Sequence, residues 1–153
     1  MKSNFFKSGV YAGLIGGLVF MMMEMIMVPL FMNGSPWGPP RLIAAIGMGK
    51  SVLPPPATFD LMMFMMAMII HFILSIIYAL SFGAIVSKLG LSVSLIAGMA
   101  LGLVLYFVNF YGFTAIFPWF AMARNWVTVV THLVFGLIAV RVFKHYYLRP
   151  VTQ

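Results

Sequence analysis

Residues 60–116 read DLMMFMMAMIIHFILSIIYALSFGAIVSKLGLSVSLIAGMALGLVLYFVNFYGFTAI. Two apolar stretches, 60–86 and 91–116, flank the short link Ser87-Lys88-Leu89-Gly90. Each exceeds the ~20 residues that an α-helix needs to cross ~30 Å of hydrocarbon. So short a link forces the pair into an antiparallel hairpin. Outward from this hairpin, residues 9–32 and 119–143 are apolar runs of the same kind, with Pro118 placed where a helix start tolerates its missing N–H. The predicted fold is all-α: an integral membrane four-helix bundle forming a single domain over 1–153.

Composition supports this. Of 153 residues 63% are hydrophobic and only 7% charged, whereas soluble domains carry about a quarter charged residues. Glu24 and Asp60 are the only acids. An ordinary soluble enzyme and a disordered chain are both excluded. The net charge of +7 comes from nine scattered Lys and Arg, which form no basic stripe, so no nucleic-acid partner is expected. Without cysteine there is no disulfide framework and no thiolate metal site. No Gly-x-Ser-x-Gly, phosphate loop or His-Glu-x-x-His occurs, and two separated acids are poor material for general acid/base chemistry. The expectation is a non-enzymatic protein whose first partner is the lipid bilayer.

The N-terminal apolar run follows two lysines but is too long for the core of a signal peptide, and reads as an uncleaved anchor. The connection 33–59 holds Pro36, Pro39, Pro40, Pro54, Pro55 and Pro56. Between these clusters a short interfacial helix is expected over 41–50, with Trp37 at headgroup level and Thr58 or Asp60 capping the next span. Lys2, Lys7, Lys88, Arg141, Lys144 and Arg149 fall on one side of the four-span topology, and Arg41, Lys50 and Arg124 on the other. The asymmetry puts both termini in the cytoplasm and the proline-rich loop outside.

Small residues mark packing faces. Gly9, Gly13 and Gly17 recur every fourth position on the first span, and Gly98 and Gly102 on the third. Such ridges allow close backbone approach. They serve packing within the bundle or, alternatively, a seam between copies in a homo-oligomer.

Ionisable residues at membrane depth are expensive and point to function or to a specific partner. Counted from the expected helix ends, His71 and His132 lie ~16–20 Å deep, while Glu24, Asn109 and Arg124 lie ~8–12 Å deep. Two layers are therefore expected: a histidine pair below a Glu/Asn/Arg cluster. His71, Ser75 and Tyr78 share one helical face, as do Asn125, Thr128 and His132. Several readings of this set stand side by side. The histidines are structural, each bonded to a nearby carbonyl or hydroxyl. They are axial ligands of a b-type haem held between the second and fourth spans, making the chain an electron-transfer subunit. Or Glu24, Asn109, Arg124, Asn125, His132 and His71 form a polar, proton-handling ladder, with Glu24 and Arg124 as a simple ion pair in the blander version.

Methionine is abundant, at 15 residues. Met21/Met25, Met23/Met27 and Met62/Met66 have the i, i+4 spacing that would present two thioethers to a soft ion such as Cu(I). Methionine is equally a flexible filler of apolar space.

From residue 71 onward the chain resembles the YagU-type family of small bacterial inner-membrane proteins. The carriers are His71-Phe-Ile-Leu-Ser-Ile-Ile-Tyr-Ala, the segment Gly90 to Leu101 with its Leu-Ile-Ala-Gly-Met-Ala core, Phe117-Pro118-Trp119-Phe120, and His132-Leu-Val-Phe-Gly with the basic end at Arg141. They cover about half of the chain; the SPWGPP and LPPPATFD segments depart from that pattern and suit a sister group. The resemblance implies a multi-pass protein of the bacterial inner membrane, oligomeric or part of a larger complex and linked to acid tolerance. It raises His71 and His132 as site candidates.

Overall fold

The computed structural model describes residues 2–148; Arg149, used above for orientation, lies outside them. Five α-helices occur among the described residues: α1 (Lys2–Met32), α2 (Gly38–Met48), α3 (Leu61–Val86), α4 (Leu91–Phe107) and α5 (Trp126–Tyr147). No strand occurs among the described residues. Four segments are long and apolar enough to cross a membrane: Asn4–Met32, Leu61–Val86, Leu91–Ala115 and Trp126–Tyr147. The protein is an all-α, membrane-spanning helical bundle.

α1 begins well before the expected residue 9. Its first turns are held by aromatic contacts with the end of α5: Phe5 lies 5.2 Å from Phe143, and Tyr11 stacks on Tyr146 at 4.7 Å. The same contacts bring the two ends of the described chain to one end of the bundle, here the termini end; the proline-rich connection lies at the opposite, loop end. Lys144 of α5 reaches the α3–α4 turn and donates to the carbonyls of Val86, Ser87 and Leu89 at 3.4, 3.2 and 2.7 Å. Leu89 N and Ser94 Oγ also donate to Val86 O, at 3.0 and 3.4 Å, and Ser94 Oγ to Leu89 O at 3.4 Å, so the ammonium completes a turn that is already partly bonded, and a cation suits the negative end of the α3 dipole.

The glycines mark where helices meet. A side chain added at Gly13 would strike the Ile76 backbone on α3, and one at Gly9 would strike Leu80. At Gly17 it would meet Ser75 Oγ at 2.7 Å and His71 Nε2 at 3.3 Å. Between α4 and α5, Gly98 faces the Gly136 carbonyl, Gly102 faces the His132 carbonyl, and Gly136 faces Gly98 and Gly102 in turn. All these contacts are intrachain. In the termini half Phe82, Val86, Phe135, Val140 and Phe143 close a dense apolar core.

Two boundaries differ from expectation. The interfacial helix begins at Gly38 rather than 41 and ends at Met48, because Pro39 and Pro40 fit its first turn, where no N–H is needed. It is not a detached interfacial element: Ala44 and Ala45 are buried, Gly47 sits against Met66 and Ile70 of α3, and Trp119 Nε1 donates to Leu42 O at 3.0 Å. Arg41 ties the following loop by donating to Val52 O and Thr58 O. Asp60, not Thr58, caps α3, accepting from Met63 N at 2.9 Å.

The larger correction concerns the fourth span. Pro118 opens a short 3-10 helix, Pro118–Ala123, and not α5. α5 starts at Trp126, capped by Asn125, whose side chain accepts from Thr128 N at 3.1 Å. Before this, α4 widens at Phe107 into a π-helical stretch, Val108–Gly112, followed by the 3-10 turn Phe113–Ala115.

Candidate functional site

The displaced start of α5 redraws the polar layers. His132 is the seventh residue of its helix, about 10 Å from its start at 1.5 Å per residue. It therefore lies level with the residues expected above it. One layer replaces the two, with a hydrogen-bonded line through Tyr78, Asn109 and His132 at its centre and His71 and Arg124 bonded separately. The π-helical stretch turns Asn109 inward, where its Nδ2 donates to His132 Nε2 at 3.2 Å and its Oδ1 accepts from Tyr78 OH at 3.1 Å. His132 Nδ1 lies 2.7 Å from Thr128 O. A carbonyl only accepts, so the proton is on Nδ1, which leaves Nε2 as the acceptor that Asn109 needs. The polar line from Tyr78 through Asn109 and His132 thus ends on a helix carbonyl.

Glu24 occupies the facing side of α1. It is 4% exposed, and its carboxyl lies between Thr128 and Thr131, accepting from Thr131 Oγ1 at 2.6 Å. The expected ion pair with Arg124 does not form among the described residues. Arg124 instead donates through Nε to Phe110 O at 2.7 Å and through Nη2 to Thr114 Oγ1 at 3.1 Å, with its guanidinium 4.2 Å from the Tyr111 ring. The widened α4 end offers these acceptors, so Arg124 pins the loop end instead of reaching Glu24.

His71 is buried on α3 and 2.8 Å from Gly17 O. By the same tautomer argument Nε2 donates there and Nδ1 is left as an acceptor. Between the two histidines stands Phe20, stacked on His71 at 5.5 Å and edge-on to His132 at 4.9 Å. This does not fit a haem held by the pair: both Nε2 atoms are engaged by protein, and an aromatic side chain fills the space between the rings. The Gly98 and Gly102 face of α4 leaves no room for a porphyrin either, because it is closed against α5.

The methionines of the i, i+4 pairs differ in their surroundings. Met21 is buried in the bundle, Met66 packs on Gly47 of α2, and Met62 is 72% exposed on the outer surface. Met25 is half-buried on α1.

What the polar residues share is a cavity of about 750 Å³ in the loop half of the bundle. Glu24, His71, Asn109, Arg124, Asn125 and His132 all line it. Its remaining wall is largely apolar and aromatic, including Phe20, Leu74, Phe110 and Phe120, and α2 roofs it through Pro39, Leu42 and Ile46. Towards the termini end the core of Phe82, Phe135, Val140 and Phe143 closes the bundle. Polar ladder and void stop at about the same depth, so the arrangement is a pocket and not a continuous path. Sequence reasoning missed Phe20 and Thr131. Phe20 follows Gly13 and Gly17 and precedes Glu24 on one α1 face, which is a readable signal; Thr131 is 107 residues from Glu24 and carries none.

Comparison with protein-family models, with curated proteins and with solved structures finds no match to this chain.

Proposed function

We propose that the protein is a non-catalytic component of a bacterial inner membrane, with both termini cytoplasmic, that binds a lipid-soluble molecule in the cavity of its outer half. This is a transport-type or stress-related role, carried out alone, as an oligomer or within a larger membrane complex; the acid-tolerance link of the YagU-type resemblance accords with its stress-related form. One observation carries it: a void of about 750 Å³ with an apolar wall and a few convergent polar side chains at its inner end. Ligand sites have this size and composition. The apolar core beneath favours binding over conduction.

Purified protein in detergent should retain a non-phospholipid molecule near one per chain in native mass spectrometry. Filling the void with Leu74→Trp should abolish that retention while the bundle stays folded. Retention untouched by Leu74→Trp, or a bound set that mirrors bulk phospholipid, would overturn the proposal.

A further inference from the structure

The inner end of the cavity shows what kind of head it receives. His71 Nε2 donates to Gly17 O, so Nδ1 is an acceptor, and it has no partner among the described residues. Ser75, one turn further along α3, is equally buried, and its hydroxyl likewise makes no hydrogen bond among the described residues. Yet no side-chain nitrogen or oxygen that is fully enclosed lacks a partner among them. Both atoms must therefore open onto space, and both residues line the cavity. A buried polar atom facing apolar space without a partner costs about 1–3 kcal/mol, so a ligand that supplies one is favoured there.

Three further features shape the ligand. The polar groups at this end are uncharged apart from Glu24, and Glu24 is already held by α5 threonines. The surroundings are aromatic: Phe20 stacks on the His71 ring with an interplanar angle of 28°, and Phe110 stands over His132 at 5.4 Å. Flat rings fit such walls through offset or edge-on contacts. Finally, α3 and α4 are joined by a four-residue turn yet pack on different partners, α3 on α1 and α2, α4 on α5. In the loop half they are bridged by the Tyr78–Asn109 hydrogen bond. Away from that bond the two helices make little direct contact, so this seam has room for a long apolar tail.

We propose that the cavity takes an amphiphile of the quinol class, a flat hydroxylated ring on a hydrocarbon tail, with one ring hydroxyl donating to His71 Nδ1 beside Ser75 Oγ. The assignment rests on the binding reading above and adds the head chemistry to it. Gly17 belongs to the site because any side chain there would displace both Ser75 and His71.

The test uses the full-length protein in detergent with three probes: a benzoquinol bearing a decyl tail, kept reduced; its dimethyl ether, which keeps ring and tail but cannot donate; and a straight-chain fatty acid. Binding is read by native mass spectrometry and by quenching of tryptophan fluorescence. The quinol should bind saturably and at least fivefold more tightly than the ether. Ser75→Ala and His71→Gln should each weaken the quinol about 5- to 20-fold, as expected for one lost hydrogen bond in a buried site, because the first removes a hydroxyl and the second, with its amide donating to Gly17 O, carries its acceptor oxygen away from the place of Nδ1; both should leave the ether unchanged. His71→Gln keeps a donor for Gly17 O, and Ser75→Ala removes only an unbonded hydroxyl, so both variants should fold. Equal affinity for quinol and ether, or a quinol affinity indifferent to both substitutions, would overturn the head assignment while leaving the cavity a binding site. Preference for the fatty acid, lost in Arg124→Gln, would overturn it in favour of an acidic ligand at the mouth. No saturable binding of any probe would overturn both readings.

Discussion

Gly136→Ala should loosen the α4–α5 seam more than any other single added methyl group on that seam. The new Cβ would overlap the Gly98 carbonyl and lie 3.0 Å from both Cα and N of Gly102. All three are backbone atoms, so no rotamer change relieves the clash. Carbon atoms prefer separations of about 3.5–4.0 Å, so α4 must withdraw by half an ångström or more. A seam of two facing helical turns holds on the order of 50 atom pairs at about 0.1–0.2 kcal/mol each, and a gap of that width forfeits a quarter to a half of each. The loss is then about 1–5 kcal/mol, a range that contains the usual cost of overpacking. The same displacement pulls Asn109, which rides on the α4 extension, away from His132 on α5. The measurement is reversible unfolding in mixed micelles titrated with dodecyl sulfate and followed by tryptophan fluorescence. Gly112→Ala is the control, because nothing lies within 4 Å of a side chain added there; it should be neutral, or stabilising by up to about 1 kcal/mol. If Gly136→Ala matches the wild type, or if Gly112→Ala costs as much, close backbone approach is not what holds α4.

The network at the cavity floor gives a second test. Asn109→Leu leaves His132 Nε2 and Tyr78 OH without partners and should cost about 2–3 kcal/mol, whereas Tyr78→Phe removes one bond and should cost about 1 kcal/mol. A double-mutant cycle should show that the two effects fail to add; strict additivity would mean the residues are not coupled through Asn109. Lys144→Met should cost about 1–2 kcal/mol in the same unfolding assay, because the Ser87 carbonyl loses its donor and the Val86 and Leu89 carbonyls each lose one of theirs. An unchanged midpoint would show that water or lipid headgroups replace the ammonium at no cost.

Spans were readable because apolar run length is a direct response to hydrocarbon thickness, and α3 came within a residue of expectation. Helix ends followed chemistry that hydropathy does not register. Pro-Trp-Phe-Ala-Met-Ala at 118–123 is apolar enough to pass for the start of a spanning helix. The deciding signal was Asn125, a good capping residue with Thr128 three positions on, and it moved α5 to Trp126. That shift alone carried His132 into the Glu24 and Asn109 layer. The ionisable residues pointed to the right region because each is too costly to leave in lipid. Their partners were another matter: Arg124 chose a carbonyl freed by the widened end of α4, and backbone acceptors leave no mark in a sequence. The cavity was equally hidden, since it exists only because α3 and α4 pack on different neighbours.

The Lys144 contact has a bearing on how the chain is made. Chains emerge from the ribosome N-terminus first, so the α3–α4 hairpin is synthesised dozens of residues before the lysine that seals its turn. Until α5 arrives, the Ser87 carbonyl depends on water or headgroups, while those of Val86 and Leu89 have only the local donors Leu89 N and Ser94 Oγ. The last helix is therefore also the fastener: a chain cut short before Lys144 would hold its first three spans without the ammonium that ties this turn to α5.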